Sequence, residues 1–188
     1  MTILVTLAFF LLLFILAFLW IVVPAIYGLP SRPTKLNRIR KALQLANLQP
    51  HETLYDLGAG DGRVLLMAAR EFDAQAIGIE IGPIQCALIW LRVIANGLGN
   101  KIQIKWSNFF KADLRQADVV YIYATSTEVT KLAPYLEEQM KPGSRVVSIS
   151  ADFPEWEPQL VDEDSLIFVY EMPPKEGNWT TYMLKNSK

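Results

Sequence analysis

Residues 56–63 read Asp56-Leu57-Gly58-Ala59-Gly60-Asp61-Gly62-Arg63: a carboxylate at the end of an apolar run, then three alternate glycines. Each glycine permits backbone angles, or an approach, that a Cβ would block. A plain strand-to-helix turn would ask nothing more of the chain. Here, however, Glu80 ends the next apolar run 22 residues after Gly58, where a carboxylate can accept both hydroxyls of a ribose. A nicotinamide or flavin dinucleotide would want Gly at position 63, which is Arg63. Asp56 and Asp61 would also repel a pyrophosphate at the helix N-terminus. A ligand with ribose, adenine and a positive charge but no phosphate suits the pattern better, and S-adenosylmethionine is such a ligand. In this reading Asp56 favours its cationic end, the turn Gly58, Ala59, Gly60 and Gly62 admits its methionine chain, and Glu80 holds its ribose.

The elements that must position these residues follow from hydrophobic period. Helices are expected over Leu36–Leu48, Arg63–Arg70, Pro83–Asn96 and Val129–Met140. Strands are expected over Thr53–Leu57, Ala76–Glu80, Ile102–Trp106, Val119–Tyr123 and Arg145–Ile149. Pro83 suits a first helical turn and Gly97 a helix end. Two late runs, Leu166–Met172 and Thr180–Leu184, read as a closing antiparallel hairpin. This alternation implies an α/β fold, a Rossmann-like, doubly wound, mostly parallel seven-strand sheet. Its ligands lie beyond the carboxyl ends of the strands, after the first, second and fourth.

All 37 charged residues of the 188-residue chain lie after Ser31. Ile3–Val23 is 21 residues without a charge, long enough at ~1.5 Å each to cross a bilayer's hydrocarbon. A cleaved signal peptide would want a basic start, a shorter apolar core and a small-x-small site. The expectation is a division into residues 1–31, a transmembrane anchor with a Pro-containing linker, and residues 32–188, the catalytic domain. Trp20 and Tyr27 are placed as interfacial anchors. Arg32, Lys35, Arg38, Arg40 and Lys41 follow with no acid among them, which puts that end on the cytoplasmic side by the positive-inside rule. From residue 42 onward 13 basic and 19 acidic residues leave a net charge of −6, no electrostatic footprint for nucleic acid. One Cys and one His exclude a disulfide framework and a multi-Cys or His-cluster metal site.

Asp56, Gly58, Gly60 and Gly62 together match the acidic-x-Gly-x-Gly-x-Gly motif of the class I, seven-strand S-adenosylmethionine-dependent methyltransferases, which residues 51–150 resemble throughout. The resemblance implies an adenine contact after the third strand, at Asn108 and Phe109, with Asn108 where the family commonly has Asp. Pro142-Gly143 before the fifth strand also matches. A narrower resemblance spans the membrane run, the basic linker, Tyr55-Asp-Leu-Gly-x-Gly-Asp-Gly-Arg63 and Phe153-Pro-x-Trp156. It is to the small membrane-anchored methyltransferases related to the lysine methyltransferases of ATP synthase and the adenine nucleotide carrier. It implies methyl transfer to a lysine amine of a membrane protein, with no metal and no nucleic acid partner. The alternatives are a lipid or quinone-like acceptor, or a nucleotide-binding module without turnover. Tyr121-Ile-Tyr123-Ala-Thr125-Ser126 lacks the Asn-Pro-Pro-Tyr pattern of many nucleic-acid amino methylases.

Tyr121, Tyr123, Thr125 and Ser126 follow the fourth strand and are the candidates to line the acceptor pocket. No general base stands out. His51 reads as a solvated or capping residue and Cys86 as a small core residue. The helix Ile84–Ala95 is apolar nearly all round, so burial on both sides is expected; an exposed face meeting lipid or a partner is the alternative. Trp156, Trp179 and Tyr182 read as packing residues, with an aromatic at the pocket mouth able to help hold an amine. Between Val23 and Lys35 lie 11 residues, at most ~40 Å when extended, which would confine the site to a shell above the membrane.

Overall fold

The computed structural model describes residues 2–26 and 34–186, with side chains from 3 to 18 and from 34 to 185. In chain order the elements are α1 (Thr2–Ile26), α2 (Leu36–Leu45), β1 (Thr53–Leu57), α3 (Arg63–Glu71), β2 (Gln75–Glu80), α4 (Pro83–Ala95) and β3 (Ile102–Trp106). A 3-10 turn (Phe109–Lys111) precedes β4 (Val119–Tyr123), α5 (Ser126–Gln139) and β5 (Arg145–Ile149). The C-terminal part holds β6 (Trp156–Glu157), β7 (Leu160–Asp162), β8 (Ile167–Glu171), β9 (Lys175–Glu176) and α6 (Trp179–Asn186).

Seven strands form one sheet in the order β3-β2-β1-β4-β5-β8-β7. The first five are parallel, and β8 runs antiparallel to both β5 and β7. The order reverses between β1 and β4, so a crevice opens above their carboxyl ends, where Asp56 and Tyr121 are register partners. The strands that must be covered on both faces are close to continuous apolar runs, as in Val119-Val-Tyr-Ile-Tyr123. One face packs Leu54, Ala76, Val119 and Val147 against residues of α2, α3 and α4. The other packs Tyr55, Leu57, Ile122 and Val146 against α5, Phe153 and Trp156.

The hairpin is present but is built differently from expectation. β7 and β8 form it, and Thr180–Leu184 lies in α6 instead of a strand. The cause is a local cap. Asn178 Oδ1 accepts from the Thr181 backbone N–H at 2.9 Å and from its hydroxyl at 3.1 Å, an N-cap bond that starts a helix despite the β-branched and aromatic residues after it.

α4 is not buried on both sides. Gln85, Ile89 and Val93 face the core, whereas Leu88, Trp90, Leu91 and Ile94 are exposed. Nor is the basic cluster free to face a membrane as a set. Arg38 donates to the carbonyls of Ser165 and Leu166, Arg40 pairs with Glu71 at 2.5 Å, and Lys41 pairs with Asp162 at 2.7 Å. Arg32 and Tyr27, and the side chain of Trp20, lie outside the described residues.

The membrane-spanning helix expected over Ile3–Val23 is not carried by the described residues, among which no helix is long and apolar enough to cross a membrane. The described side chains of α1 run from residue 3 to 18, 16 residues or about 24 Å of helix, short of a ~30 Å hydrocarbon core. All of them are exposed, and none carries a charge.

Candidate active site

β1 delivers Asp56 to the edge of the sheet and the chain then turns through the glycines. The N–H groups of Gly58 and Ala59 both donate to the carbonyl of Ile79, at 2.9 and 3.1 Å, tying the turn to β2. Ala59 is buried, its Cβ directed at the core beside Gly78, so only its backbone is left to face a ligand. Gly60 (φ +58°) and Gly62 (φ +78°) both hold left-handed angles, but their surroundings differ. A Cβ on Gly60 would meet only the Gly58 carbonyl oxygen, at 3.8 Å; one on Gly62 would stand 2.9 Å from Ile89 Cγ2. Gly60 therefore opens onto space and Gly62 onto the core.

Glu80 has a second role that its position in the chain did not reveal. Its Oε2 accepts from the Gly60 N–H at 2.8 Å and its Oε1 from the Gly82 N–H at 2.7 Å. The carboxylate braces the glycine turn, and each oxygen keeps a further lone pair for a hydroxyl.

Asp56 is 3 % exposed. Burial, with the nearby charges of Glu80 and then Asp61, pushes its pKa up to about 8. A buried carboxyl without a cation partner favours its neutral form, and a bound cation restores the charge. Asp61, by contrast, is held below the usual carboxylate range by Arg63, at 2.6 Å, with Arg92 at 3.3 Å. Its charge is largely compensated, so the repulsion of a pyrophosphate expected from Asp61 is weaker than the sequence suggested. Arg63 also donates to the Thr34 carbonyl at 2.8 Å. The chain arriving from the N-terminus thus ends against the glycine turn, a contact no local pattern signals.

Of the residues expected at an adenine, Asn108 caps the 3-10 turn, its Oδ1 accepting from the Phe110 N–H at 3.0 Å. The Phe109 ring lies in the core. After β4, the expected pocket residues separate. Tyr121 is buried toward the core; burial and the Asp56 charge push its phenol up, and its hydroxyl has no partner. Thr125 is spent on a capping box with Glu128. Tyr123 is half-buried beneath the Arg38 guanidinium, 5.9 Å from the ring centre, and Ser126 is exposed. A cavity of about 470 Å³, lined by Asp152, Pro154, Asn178, Trp179, Thr180 and Met183, opens beyond β5. Asp152 carries no local signal for this place; it follows β5 by three residues, and its neighbours in the cavity come from the segment whose pattern suggests a strand.

A model of the ANTKMT methyltransferase domain matches residues 56–160, from Asp56 through the start of β7. The chain belongs to this methyltransferase family. A protein-lysine N-methyltransferase of Saccharolobus islandicus is 34% identical over 70% of this chain and 83% of its own length. An ATP synthase lysine N-methyltransferase of Caenorhabditis elegans is 32% identical over 76% of this chain and 78% of its own. The crystal structure of an RNA methyltransferase from Salinibacter ruber with S-adenosyl-L-homocysteine superposes with a TM-score of 0.74 at 32% identity. It covers 78% of this chain and 97% of that one.

The chain is a class I methyltransferase, and S-adenosylmethionine is its methyl donor. The residues present suit that molecule: a buried carboxyl seeking a cation, a glycine turn with open space, and a carboxylate with free lone pairs. When bound it supplies a methyl group on a sulfonium that is already an activated leaving group. The protein's share is alignment and exclusion of water.

Substitutions at the two glycines should separate binding from folding. Gly60→Val should cost the strain of a non-glycine residue at positive φ, about 1–3 kcal/mol, and weaken S-adenosylmethionine more than tenfold by filling the open space. Gly62→Val adds the clash with Ile89 and should lower the melting temperature much further. Calorimetry paired with thermal melting distinguishes them; equal cofactor affinity for Gly60→Val and wild type would show that the space is not the cofactor's.

Proposed function

We propose that this methyltransferase modifies a lysine amine of a membrane protein. What supports the acceptor class is the match to relatives named for lysine methylation, two of which bear the names of an ATP synthase and an adenine nucleotide translocase lysine N-methyltransferase. In this reading Asp56, Gly58, Ala59, Gly60, Gly62 and Glu80, with the backbone near Asn108 and Phe109, hold the cofactor. Tyr123 and Ser126 edge the acceptor's path, beside the cavity that contains Asp152 and Trp179. An amine must be neutral to attack the methyl group, so the acceptor site must disfavour the ammonium or remove its proton.

RNA, the substrate class in the name of the Salinibacter ruber enzyme, is the second reading. The net charge of −6 from residue 42 onward argues against it, because phosphate contacts supply most nucleic-acid affinity. The decisive experiment is to incubate the purified protein with methyl-labelled S-adenosylmethionine and native membranes, then fractionate the label. Lysine-borne label in protein supports the proposal; label in RNA or lipid overturns it.

In the same proposal residues 1–31 form a lipid anchor and residues 32–188 a catalytic domain on the cytoplasmic side. The support is the uncharged run of α1, whose described side chains the rest of the fold leaves exposed. A chain beginning at Ser31 should still fold and bind cofactor, since the buried core begins at Ile39. It should lose most activity on native membranes, because tethering supplies effective concentration and no chemistry. Equal activity of the short and full chains on such membranes would remove the anchor from substrate selection.

A further inference from the structure

The outward face of α4 has no use in the site described above. At 100° per residue Ala87, Leu88, Trp90, Leu91, Ile94 and Ala95 share that face, and none is charged. Leu88 is 38 % exposed, Trp90 58 %, Leu91 55 % and Ile94 55 %. Trp106, 71 % exposed on β3, extends the stripe at the start of the helix, its indole N–H donating to the Ile81 carbonyl at 2.9 Å. α1 packs against α4, yet these exposures remain with α1 in place.

The stripe is therefore continuous with α1, and α1 identifies what covers both. Its side chains from Ile3 to Phe18 are exposed on every side of the helix and none is charged. A second protein chain would cover one side of such a helix; an acyl-chain environment covers all of it. Tryptophans bordering an apolar stripe also suit the water–lipid boundary.

We propose that the outward face of α4, with Trp106 at its start, docks into the same lipid surface as α1. The inference rests on the anchor reading of α1 and adds orientation to it. α4 begins three residues after Glu80. Its Ile89 packs under Gly62, and its Arg92 donates to the Asp61 carbonyl at 2.5 Å. Docking of this helix holds the cofactor edge of the sheet at a fixed angle to the bilayer, so that acceptors approach along the membrane. Monotopic helices of this kind bury one apolar face in the headgroup and acyl boundary.

The test uses the full chain with Cys86→Ala, carrying a fluorescent label at Leu91→Cys, Phe10→Cys or Lys131→Cys. Lys131 is exposed on α5, on the opposite face of the sheet. Each protein is mixed with phosphatidylcholine–phosphatidylglycerol vesicles containing brominated acyl chains, and unchanged S-adenosylmethionine affinity confirms the fold. Ile94→Cys replaces Leu91→Cys if that variant fails to fold. Quenching at positions 10 and 91 several-fold stronger than at 131 is expected. Quenching at 10 with a water-exposed label at 91 overturns docking of α4 and leaves the anchor standing. A label at 91 shielded from both bromine and aqueous iodide, in a protein that sediments as a dimer, overturns it in favour of a second copy. No quenching at position 10 removes the anchor and this inference together.

Discussion

Asp56→Asn should make the cofactor-free protein more stable at pH 8 while abolishing tight binding of S-adenosylmethionine. The folded-state pKa of Asp56 is raised from 3.8 to about 8. A carboxyl raised in this way contributes stability that is fully present below its unfolded pKa and is lost as pH rises through the folded one. Between about pH 4 and 8 the wild-type fold therefore gives up stability on the order of a few kcal/mol at this residue. Asparagine, near-isosteric and uncharged, should not. Binding a cation beside Asp56 returns it to the ionised form, so wild-type affinity should rise with pH toward 8 with release of a proton. The variant's affinity should be weak, its pH profile showing only the ligand's own titration. Melting temperature against pH and calorimetry in buffers of different ionisation heat check both arms. A variant with wild-type affinity and the same pH slope would remove Asp56 from the site.

Glu80→Ala should damage binding and folding together. Each oxygen of the carboxylate accepts a backbone N–H, from Gly60 and Gly82, in a side chain 5 % exposed. Hydrogen bonds to a charged group contribute about 1.5–3 kcal/mol each, and a buried donor left without a partner costs a similar amount. Affinity for S-adenosylmethionine should fall by more than about a hundredfold, combining lost ribose bonds with a loosened turn. Glu80→Gln should rescue only partly, because a carboxamide offers one oxygen where two backbone donors converge. Full rescue in calorimetry would mean that only one of the two bonds matters.

Much of the site was legible because its signals are local. The turn at Gly58–Gly62 announces itself through residues that tolerate positive φ, and the five parallel strands through runs of apolar side chains bounded by turn residues. Strands β1, β3, β4 and β5 begin and end where period alone places them. The last sixth of the chain was less legible: one side-chain cap at Asn178 outweighed the strand preference of Trp179-Thr-Thr-Tyr182. The four residues after β4 looked equivalent in the sequence. They were separated by the direction each side chain takes from the strand end and by the capping box that claims Thr125.

The amino-acid order by itself determined the fold class, the order of strands and helices, the glycine turn with its two carboxylates, and the cationic ligand those carboxylates suit. Period, turn chemistry and charge sign act over a few residues and need no knowledge of the remainder. Only the tertiary structure decided which partners the polar groups take and which faces remain uncovered. Glu80 braces Gly60 across 20 residues, Arg63 reaches back 29 to Thr34, and Arg38 crosses 127 to Ser165. The outward half of α4 stays exposed because the sheet beneath it takes only Gln85, Ile89 and Val93. Hydrogen-bond partners and burial are properties of surfaces brought together by folding, and a linear order of residues does not contain them until the sheet has set its register.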